Sequence, residues 1–545
     1  MRGVERTDGV NNRQIDGMHA VDDTYLGGGP LMKYRTMACC AALMVLSVAC
    51  GDDQESGSDS SSRTQYQAPA DATSDATSEA SSNTTAGAEY APESTAPAAI
   101  NPVTDAADDA LSTFAMDVDT GSYTLTRASL EAGVVPDPAN VRTEEFVNSF
   151  DQDYDQPEDG PLAVTVDATS APFLDDDARV VRVGVQGRSL DDEQRRDANL
   201  TFVIDISGSM ADPNKLEAVR PALRGLVESL RPTDRVSIVV YSDSTRVLLS
   251  STPVSERRTI DDAIDELQPE GSTFVQAGLE LGYEQAQLAY DRERINRVIL
   301  LSDGVANVGA TGPEAILEII GDGARDGIDL VTVGFGLGEY NDSLMEQLAD
   351  QGDGFYAYVD SEREAVRLFS HDLTGTLQTI AREAKVQVEF NPDTVRTYRL
   401  VGFENRQVAD DDFRADSVDG GEIGSGHTVT ALYEVTLVEG ADAGSDAWLA
   451  RATVRWLHPD TREPSETGAL LDAQDVSQRF GDAPPRLQQD ILVAAFAERL
   501  RGSGWSDLLS LRSLSENVHV LADRLDDPEL QELADLVDVR RDLDD

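Results

Sequence analysis

From Asn199 to about Thr379, apolar strands alternate with amphipathic helices, and few folds accommodate this pattern. Leu200 to Ile206 is almost continuously apolar, as expected for a parallel strand that is buried on both faces. Further predicted strands cover 235–241, 246–249, 297–302, 330–334 and 354–359, and predicted helices cover 215–230, 256–267, 274–290, 313–326, 342–351 and 362–379. The alternation predicts an α/β fold with a doubly wound, mostly parallel sheet.

Short side chains that carry oxygen lie at the ends of these predicted elements. Asp205, Ser207 and Ser209 follow the first strand, Thr273 precedes a helix, and Asp303 ends a later strand. Ligands of doubly wound sheets bind beyond the carboxyl ends of the strands. Hydroxyl and carboxylate oxygens suit a hard cation such as Mg²⁺. Because only two of the five side chains are charged, such a site could also accept an anionic oxygen from a partner.

These residues resemble the metal-ion-dependent adhesion site of the von Willebrand factor A domain, which uses Asp-x-Ser-x-Ser, a later Thr and a later Asp-Gly in that order. The resemblance implies that Ser207, Ser209 and Thr273 are hydroxyl ligands and that Asp205 and Asp303 bind directly or through water. It also implies Mg²⁺, or Mn²⁺ or Ca²⁺, and a protein partner whose Asp or Glu completes the coordination. Without a metal, Asp205 and Ser207 could cap the following helix, but capping would not explain Thr273 and Asp303.

The regions on both sides of the predicted A domain extend the resemblance. Thr113 to Tyr154, and the chain after Thr379, look like the flanks of bacterial envelope lipoproteins that carry one A domain and are often labelled as relatives of calcium-activated chloride channels. This resemblance implies the fold and the metal and leaves the partner open, and the channel label carries little weight. The predicted strands 162–168 and 179–185 are too few to be stable alone, whereas alternating strands return after Ala384. We therefore expect a β-sandwich-like domain built from both sides of the A domain.

The N-terminal region predicts export. A basic start at Met32 leads into an apolar run from Met37 to Ala49 and then to Cys50. This order is typical of a signal peptide, and the run is shorter than the roughly 20 residues of a membrane span. The segment resembles a bacterial lipoprotein signal, which implies lipidation of Cys50 and a lipid-anchored position in the cell envelope. Ser47 stands where that motif prefers Leu, so an ordinary signal peptide remains the alternative.

The predicted organisation has eight segments. They are an extension upstream of an alternative start (1–31), the signal peptide (32–49), a disordered acidic tether (50–109), a small α/β segment (110–160), the first strands of the β-domain (161–198), the A domain (199–380), the remaining strands of the β-domain (381–470) and a C-terminal helical segment (471–545). In the last segment, a helix over 485–500 is expected to be apolar on one side.

Two weaker motifs have simpler interpretations. Asp117, Asp119 and Gly121 have the spacing that begins a calcium loop, but Ser122 and Ala128 occupy its sixth and twelfth positions in place of Gly and Glu. Capping and turn formation by the same carboxylates is the preferred reading. The glycines after the strand 330–334 do not match a dinucleotide fingerprint, and a tight turn accounts for them.

Charge and composition exclude several functions. Lys and Arg number 44 against 101 Asp and Glu, and the net charge is −57. Nucleic acid and anionic lipid headgroups, which need basic residues, are therefore disfavoured as partners. The five histidines are scattered, and Ser207 lies outside a Gly-x-Ser-x-Gly motif, so we expect neither an enzyme nor a small-molecule substrate. The chain is expected to grip an acidic side chain of a partner through Mg²⁺. The alternative is an assembly factor of an envelope complex whose metal mainly stabilises the fold.

Overall fold

The computed structural model describes residues 100–544 except for Asp117, Asp176, Asp192, Pro213 and the segments 304–312, 337–341, 370–376 and 442–446. The predicted signal peptide, Cys50 and most of the predicted tether lie outside the described residues, as does the first residue of the calcium-like motif. In the described part of the chain, no helix combines the length and the apolar composition that crossing a membrane requires.

Within the described residues that precede the A domain, the chain forms four strands and two α-helices. They are β1 (Thr104–Asp105), β2 (Leu111–Ala115), α1 (Gly121–Glu131), α2 (Thr143–Asn148), β3 (Leu162–Thr169) and β4 (Ala178–Gly187). None of these strands pairs with the sheet of the A domain. Together with the strands and helices that follow the A domain, from Thr379 onward, these elements are called the frame below.

The A domain is built on a six-stranded sheet. Its elements in chain order are β5 (Ala198–Asp205), α3 (Leu216–Ser229), β6 (Arg235–Tyr241), β7 (Thr245–Pro253), α4 (Arg257–Asp265), α5 (Val275–Ala289), β8 (Ile295–Ser302), α6 (Pro313–Arg325), β9 (Asp329–Phe335), α7 (Asp342–Gln351), β10 (Tyr356–Val359) and α8 (Glu362–Arg367). The strand order is β10-β9-β8-β5-β6-β7, and only β7 is antiparallel. On β5, Phe202 and Val203 belong to different apolar clusters, so both faces of the sheet are covered. The predicted doubly wound, mostly parallel fold is confirmed.

After the A domain the chain returns to antiparallel strands. They are β11 (Thr379–Phe390), β12 (Val395–Val401), β13 (Gly421–Gly424), β14 (Thr428–Leu437), β15 (Trp448–Leu457) and β16 (Pro464–Asp472). One sheet has the order β1-β12-β14-β4-β3, and the other has β13-β11-β15-β16 with β2 beside β11. Side chains from both sheets share one buried apolar cluster. Since β4 pairs with β14 along nine residues, strands from both sides of the A domain form one sheet.

The segment around Thr379 differs from the prediction. A helix over 362–379 is expected from the sequence, but α8 ends at Arg367 and Thr379 begins β11. Residues 370–376 lie between them, outside the described part. The start of β11 is rich in Ala, Arg and Glu, which favour helices. Pairing with β2, β13 and β15 overrides this local preference.

The C-terminal helices pack with α1 and α2 around a third apolar cluster. They are α9 (Pro485–Arg501), α10 (Leu511–Leu525) and α11 (Pro528–Asp542). The apolar side chains expected on one side of α9 are buried, and several of its polar side chains are buried as well. Asp490 forms an ion pair with Arg182 of β4, and Glu498 forms one with Arg399 of β12. Ion pairing supplies the partners that buried charges require.

Several polar contacts join the frame to the A domain, among them those of Arg127 and Asp119. Arg127 of α1 binds Asp360 at 2.8 Å and Glu364 of α8 at 3.0 Å. Asp119, which belongs to the calcium-like motif, accepts a hydrogen bond from the backbone N–H of Tyr356 at 2.8 Å and pairs with Arg406. The carboxylate of Asp119 therefore has a structural role at the start of β10.

Candidate metal site at the carboxyl edge of the sheet

The candidate site begins where β5 and β8 end. In the sheet register, Asp205 lies beside Tyr241 at the end of β6, and Ile204 lies beside Leu301 of β8. Asp303 directly follows Ser302, the last residue of β8. Because β5 and β8 are adjacent and parallel, Asp205 and Asp303 emerge at the same edge of the sheet.

Asp205 is fully buried and is held from two sides. Its Oδ1 accepts a hydrogen bond from the backbone N–H of Ser207 at 2.8 Å, and its Oδ2 accepts one from Ser302 Oγ at 3.2 Å. Burial raises the pKa of Asp205 to about 6. The negative charge of Asp303 also raises this pKa, whereas the hydrogen bonds from Ser207 lower it. An ionised carboxylate in this position is costly unless a cation lies nearby.

The two serines of the Asp-x-Ser-x-Ser motif are neighbours. Their Oγ atoms are 3.1 Å apart, with Ser207 buried and Ser209 half-buried. The backbone N–H of Gly208 donates to the carbonyl of Gly271 at 3.1 Å, so the serine loop adjoins the loop that leads to Thr273. Thr273 is half-buried and, among the described residues, makes no hydrogen bond to the other four side chains. The structure thus brings Asp205, Ser207, Ser209 and Asp303 to one edge and places Thr273 on the adjoining loop.

A lysine contacts the second carboxylate. Lys215 Nζ lies 3.0 Å from Asp303 Oδ2, and the exposed fractions of the two side chains are 8% and 0%. Such a short contact between buried opposite charges is strong because little water screens it. The site therefore already binds one cation, which belongs to the chain itself.

The donor set fits a hard divalent cation. It consists of hydroxyl and carboxylate oxygens, the ligands that Mg²⁺ prefers, and it lacks the nitrogen and sulfur ligands of zinc sites. Within the described residues, no group of three or more His, Cys, Asp and Glu side chains is placed to hold a metal. A metal here would depend on the serine and threonine hydroxyls together with the two carboxylates. Placement of the five residues agrees with that requirement, and their role as ligands remains a prediction.

Three residues of this edge were not predicted from the sequence. The sequence pattern places Lys215 only at the start of a helix, Ser302 only in a strand, and Tyr241 only at the end of another strand. For Ser302 and Tyr241 a signal existed, since both lie at carboxyl ends of strands that neighbour β5. The contact of Lys215 depends on the path of its side chain and has no signature in the sequence.

Family comparisons agree with this architecture. The family described as von Willebrand factor type A domain matches residues 199–371, which contain all five predicted ligands. The family described as von Willebrand factor matches residues 90–182, and the one described as Uncharacterized protein YfbK, C-terminal, matches residues 375–543. The sheet order and the family matches together define the class of protein: the chain carries a von Willebrand factor A domain, with further structured regions on both sides of it.

Curated relatives identify the family more closely. The Escherichia coli (strain K12) protein named "Uncharacterized protein YfbK" is 34% identical over 447 residues, which cover 76% of this chain and 75% of that protein. The chain therefore belongs to the YfbK-like family of proteins with a von Willebrand factor A domain. Human inter-alpha-trypsin inhibitor heavy chain H3 is 32% identical over 178 residues, 31% of this chain and 19% of that protein.

Among solved structures, von Willebrand factor type A from Catenulispora acidiphila matches 64% of this chain and 81% of that chain. Its sequence identity is 16% and its TM-score is 0.38.

Proposed function

We propose that this chain is a Mg²⁺-dependent binding protein of the adhesion type, which grips an acidic side chain of a protein partner. Mn²⁺ or Ca²⁺ could take the place of Mg²⁺. One observation carries this proposal: four of the predicted ligands lie at one edge of the sheet, namely Asp205, Ser207, Ser209 and Asp303. The resemblance of the same residues to a metal-ion-dependent adhesion site supports it. The proposal assigns neither catalytic nor channel activity to the chain.

The five residues would have two different roles at the metal. Ser207, Ser209 and Thr273 would supply neutral oxygens, and Asp205 and Asp303 would supply negative charge directly or through water. A divalent ion at this edge would act as a Lewis acid that accepts a further anionic oxygen. The two carboxylates together carry no more negative charge than the ion carries positive charge, and the hydroxyls are neutral. The ion could therefore still bind the carboxylate of a partner.

The net charge of −57 does not prevent an acidic partner from binding. Exposed charges separated by more than about 8 Å are largely screened at physiological ionic strength. A divalent ion in direct contact with the partner's carboxylate acts at a far shorter distance. The local charge therefore dominates the recognition of an acidic side chain.

A pull-down from cell-envelope extract tests the binding function. With immobilised full-length protein in Mg²⁺, we expect partner proteins to be retained and then released by EDTA. The variant Asp205→Ala should retain none of them, whereas Asp265→Ala, which removes an exposed carboxylate at the end of α4, should behave as the wild type. A partner that stays bound in EDTA and also binds Asp205→Ala would contradict the proposal and favour the assembly-factor alternative.

We also propose that the chain is a lipoprotein, anchored in the cell envelope through Cys50. Two acyl chains give stable anchoring where a single chain does not. Replacement of Cys50 by Ser should move the protein from the membrane fraction to the soluble fraction on ultracentrifugation of cell lysates. Cys39→Ser and Cys40→Ser change thiols within the predicted signal peptide and serve as matched controls that should leave the distribution unaltered. Membrane association of Cys50→Ser equal to that of the wild type would contradict the anchor.

A further inference from the structure

The ammonium of Lys215 lies at the site proposed for the metal. It contacts Asp303 Oδ2 at 3.0 Å, and the charge of Asp303 acts in turn on Asp205. Lys215 is one of only three lysines in the chain. Its side chain is 8% exposed, although a lysine side chain ordinarily extends into water. Burial of this group therefore needs a specific reason.

The fold provides a path for the side chain of Lys215. A Cβ on Gly336, which follows β9, would lie 2.2 Å from Lys215 Cε, so the lysine occupies the space that a side chain would take. Gly336 has a φ of +82°, a conformation that glycine adopts readily. The hydroxyl of Tyr358 donates to the carbonyl of Gly336 at 2.6 Å and fixes this turn. The ammonium is thus directed at Asp303 by the ends of two strands.

Lys215 also has a second carboxylate within reach. Its Nζ lies 3.5 Å from Asp212 Oδ2, and the side chain of Asp212 is 70% exposed. One ammonium therefore lies between a buried carboxylate and an exposed one. If a divalent ion takes Asp303, the ammonium can keep a carboxylate partner by turning outward to Asp212.

We propose that Lys215 is an internal counter-cation that competes with the divalent metal for Asp303 and thereby sets the metal affinity of the site. The inference rests on the proposed function, because it concerns the same site. In the metal-free protein, the ammonium neutralises part of the charge that Asp205 and Asp303 place at the edge of the sheet. Arrival of a divalent ion repels the ammonium, so displacement of Lys215 from Asp303 is part of the cost of binding the metal. Lys215 thus acts on the metal through Asp303 and sets the affinity of the site for a divalent ion.

Isothermal titration of the full-length protein with MgCl₂ tests this role. Lys215→Met keeps the length of the side chain and removes the competing charge, so its association constant for Mg²⁺ should rise by about tenfold. Lys385→Met is the matched control: Lys385 is also buried, but its Nζ binds the backbone carbonyl of Ala415 at 2.8 Å, within the β-domain. Lys385→Met should leave the Mg²⁺ affinity at the wild-type value.

A second variant keeps the test informative if Lys215→Met does not fold. Asp212→Asn changes an exposed side chain and removes the partner that receives the displaced ammonium, so Mg²⁺ affinity should fall by about threefold. An unchanged or higher affinity of Asp212→Asn would count against the inference.

The possible results separate this inference from the proposed function. If the wild type and Lys215→Met bind Mg²⁺ equally well, or the variant binds it more weakly, the counter-cation role is wrong and the metal site stands. If neither protein binds Mg²⁺, both the metal site and the inference are wrong. If only Lys215→Met binds Mg²⁺, the competition is supported and the wild-type metal site is contradicted.

Discussion

Replacement of Arg127 by Met should lower the free energy of unfolding by about 3–5 kcal/mol, the usual cost of removing one partner from a buried ion cluster. The guanidinium of Arg127 contacts Asp360 and Glu364 of the A domain and also Glu532 of α11, at 2.8 to 3.0 Å. The exposed fractions of the Asp360 and Glu364 side chains are 7% and 6%. Met would leave the buried carboxylate of Asp360 without the guanidinium that compensates it, whereas Glu364 would keep its ion pair with Arg367 of the same helix at 2.6 Å.

Equilibrium unfolding in urea measures this loss. Arg414→Met is a suitable control, because Arg414 forms its ion pair with Glu466 at the surface, where the side chain of Arg414 is 64% exposed. This control should change the free energy of unfolding by less than about 1 kcal/mol. A loss below 1 kcal/mol for Arg127→Met would show that the A domain does not depend on this attachment to the frame.

Replacement of Asp205 by Ala should weaken Mg²⁺ binding by more than about a hundredfold, since changes in the outer shell of metal sites already cost ten- to a hundredfold. It should also abolish the rise in melting temperature that Mg²⁺ gives the wild type. That rise has a simple origin: a metal bound only by the folded state stabilises it by about 2.7 kcal/mol at a hundredfold excess over its dissociation constant.

In EDTA the same variant should remain folded. Burial raises the pKa of Asp205 to about 6, so the contribution of this group to stability is greatest below its unfolded pKa and is lost as the pH rises through 6. At pH 8 the ionised carboxylate therefore costs stability in the metal-free protein. Removing the carboxylate should offset much of the stability lost with the hydrogen bonds from Ser207 and Ser302. In thermal melts at pH 8 in EDTA, the melting temperature of the variant should therefore stay close to that of the wild type. A variant that fails to fold in EDTA would indicate a structural role for Asp205.

Strand ends were the most predictable part of the molecule. Asp205, Ser207, Ser209 and Asp303 could be placed together because a parallel sheet brings the carboxyl ends of its strands to one edge. Bounds of β6 and α7 also follow from local apolar periodicity, and the structure reproduces them. Such features depend on short stretches of chain.

Long-range contacts explain what the sequence did not reveal. The sequence predicts strands only after Ala384, whereas pairing with three partner strands begins β11 at Thr379. Apolar periodicity predicts one apolar side for α9 but does not show that Asp490 and Glu498 are buried, where Arg182 and Arg399 reach them from distant strands. Likewise, Lys215 reaches Asp303 only because Gly336 leaves space for it. Each case depends on residues far apart in the sequence, which periodicity cannot detect.

The proposed function depends on a metal at the carboxyl edge of the sheet, and a crystal structure of the full-length protein grown with Mn²⁺ tests this directly. We expect one anomalous difference peak, within about 2.5 Å of the hydroxyl oxygens of Ser207 and Ser209. Asp205, Thr273 and Asp303 should surround the peak, directly or through water, and Lys215 should be turned away from Asp303. Crystals that show no peak at this edge at saturating Mn²⁺, or show the metal only elsewhere, would contradict the proposed metal site.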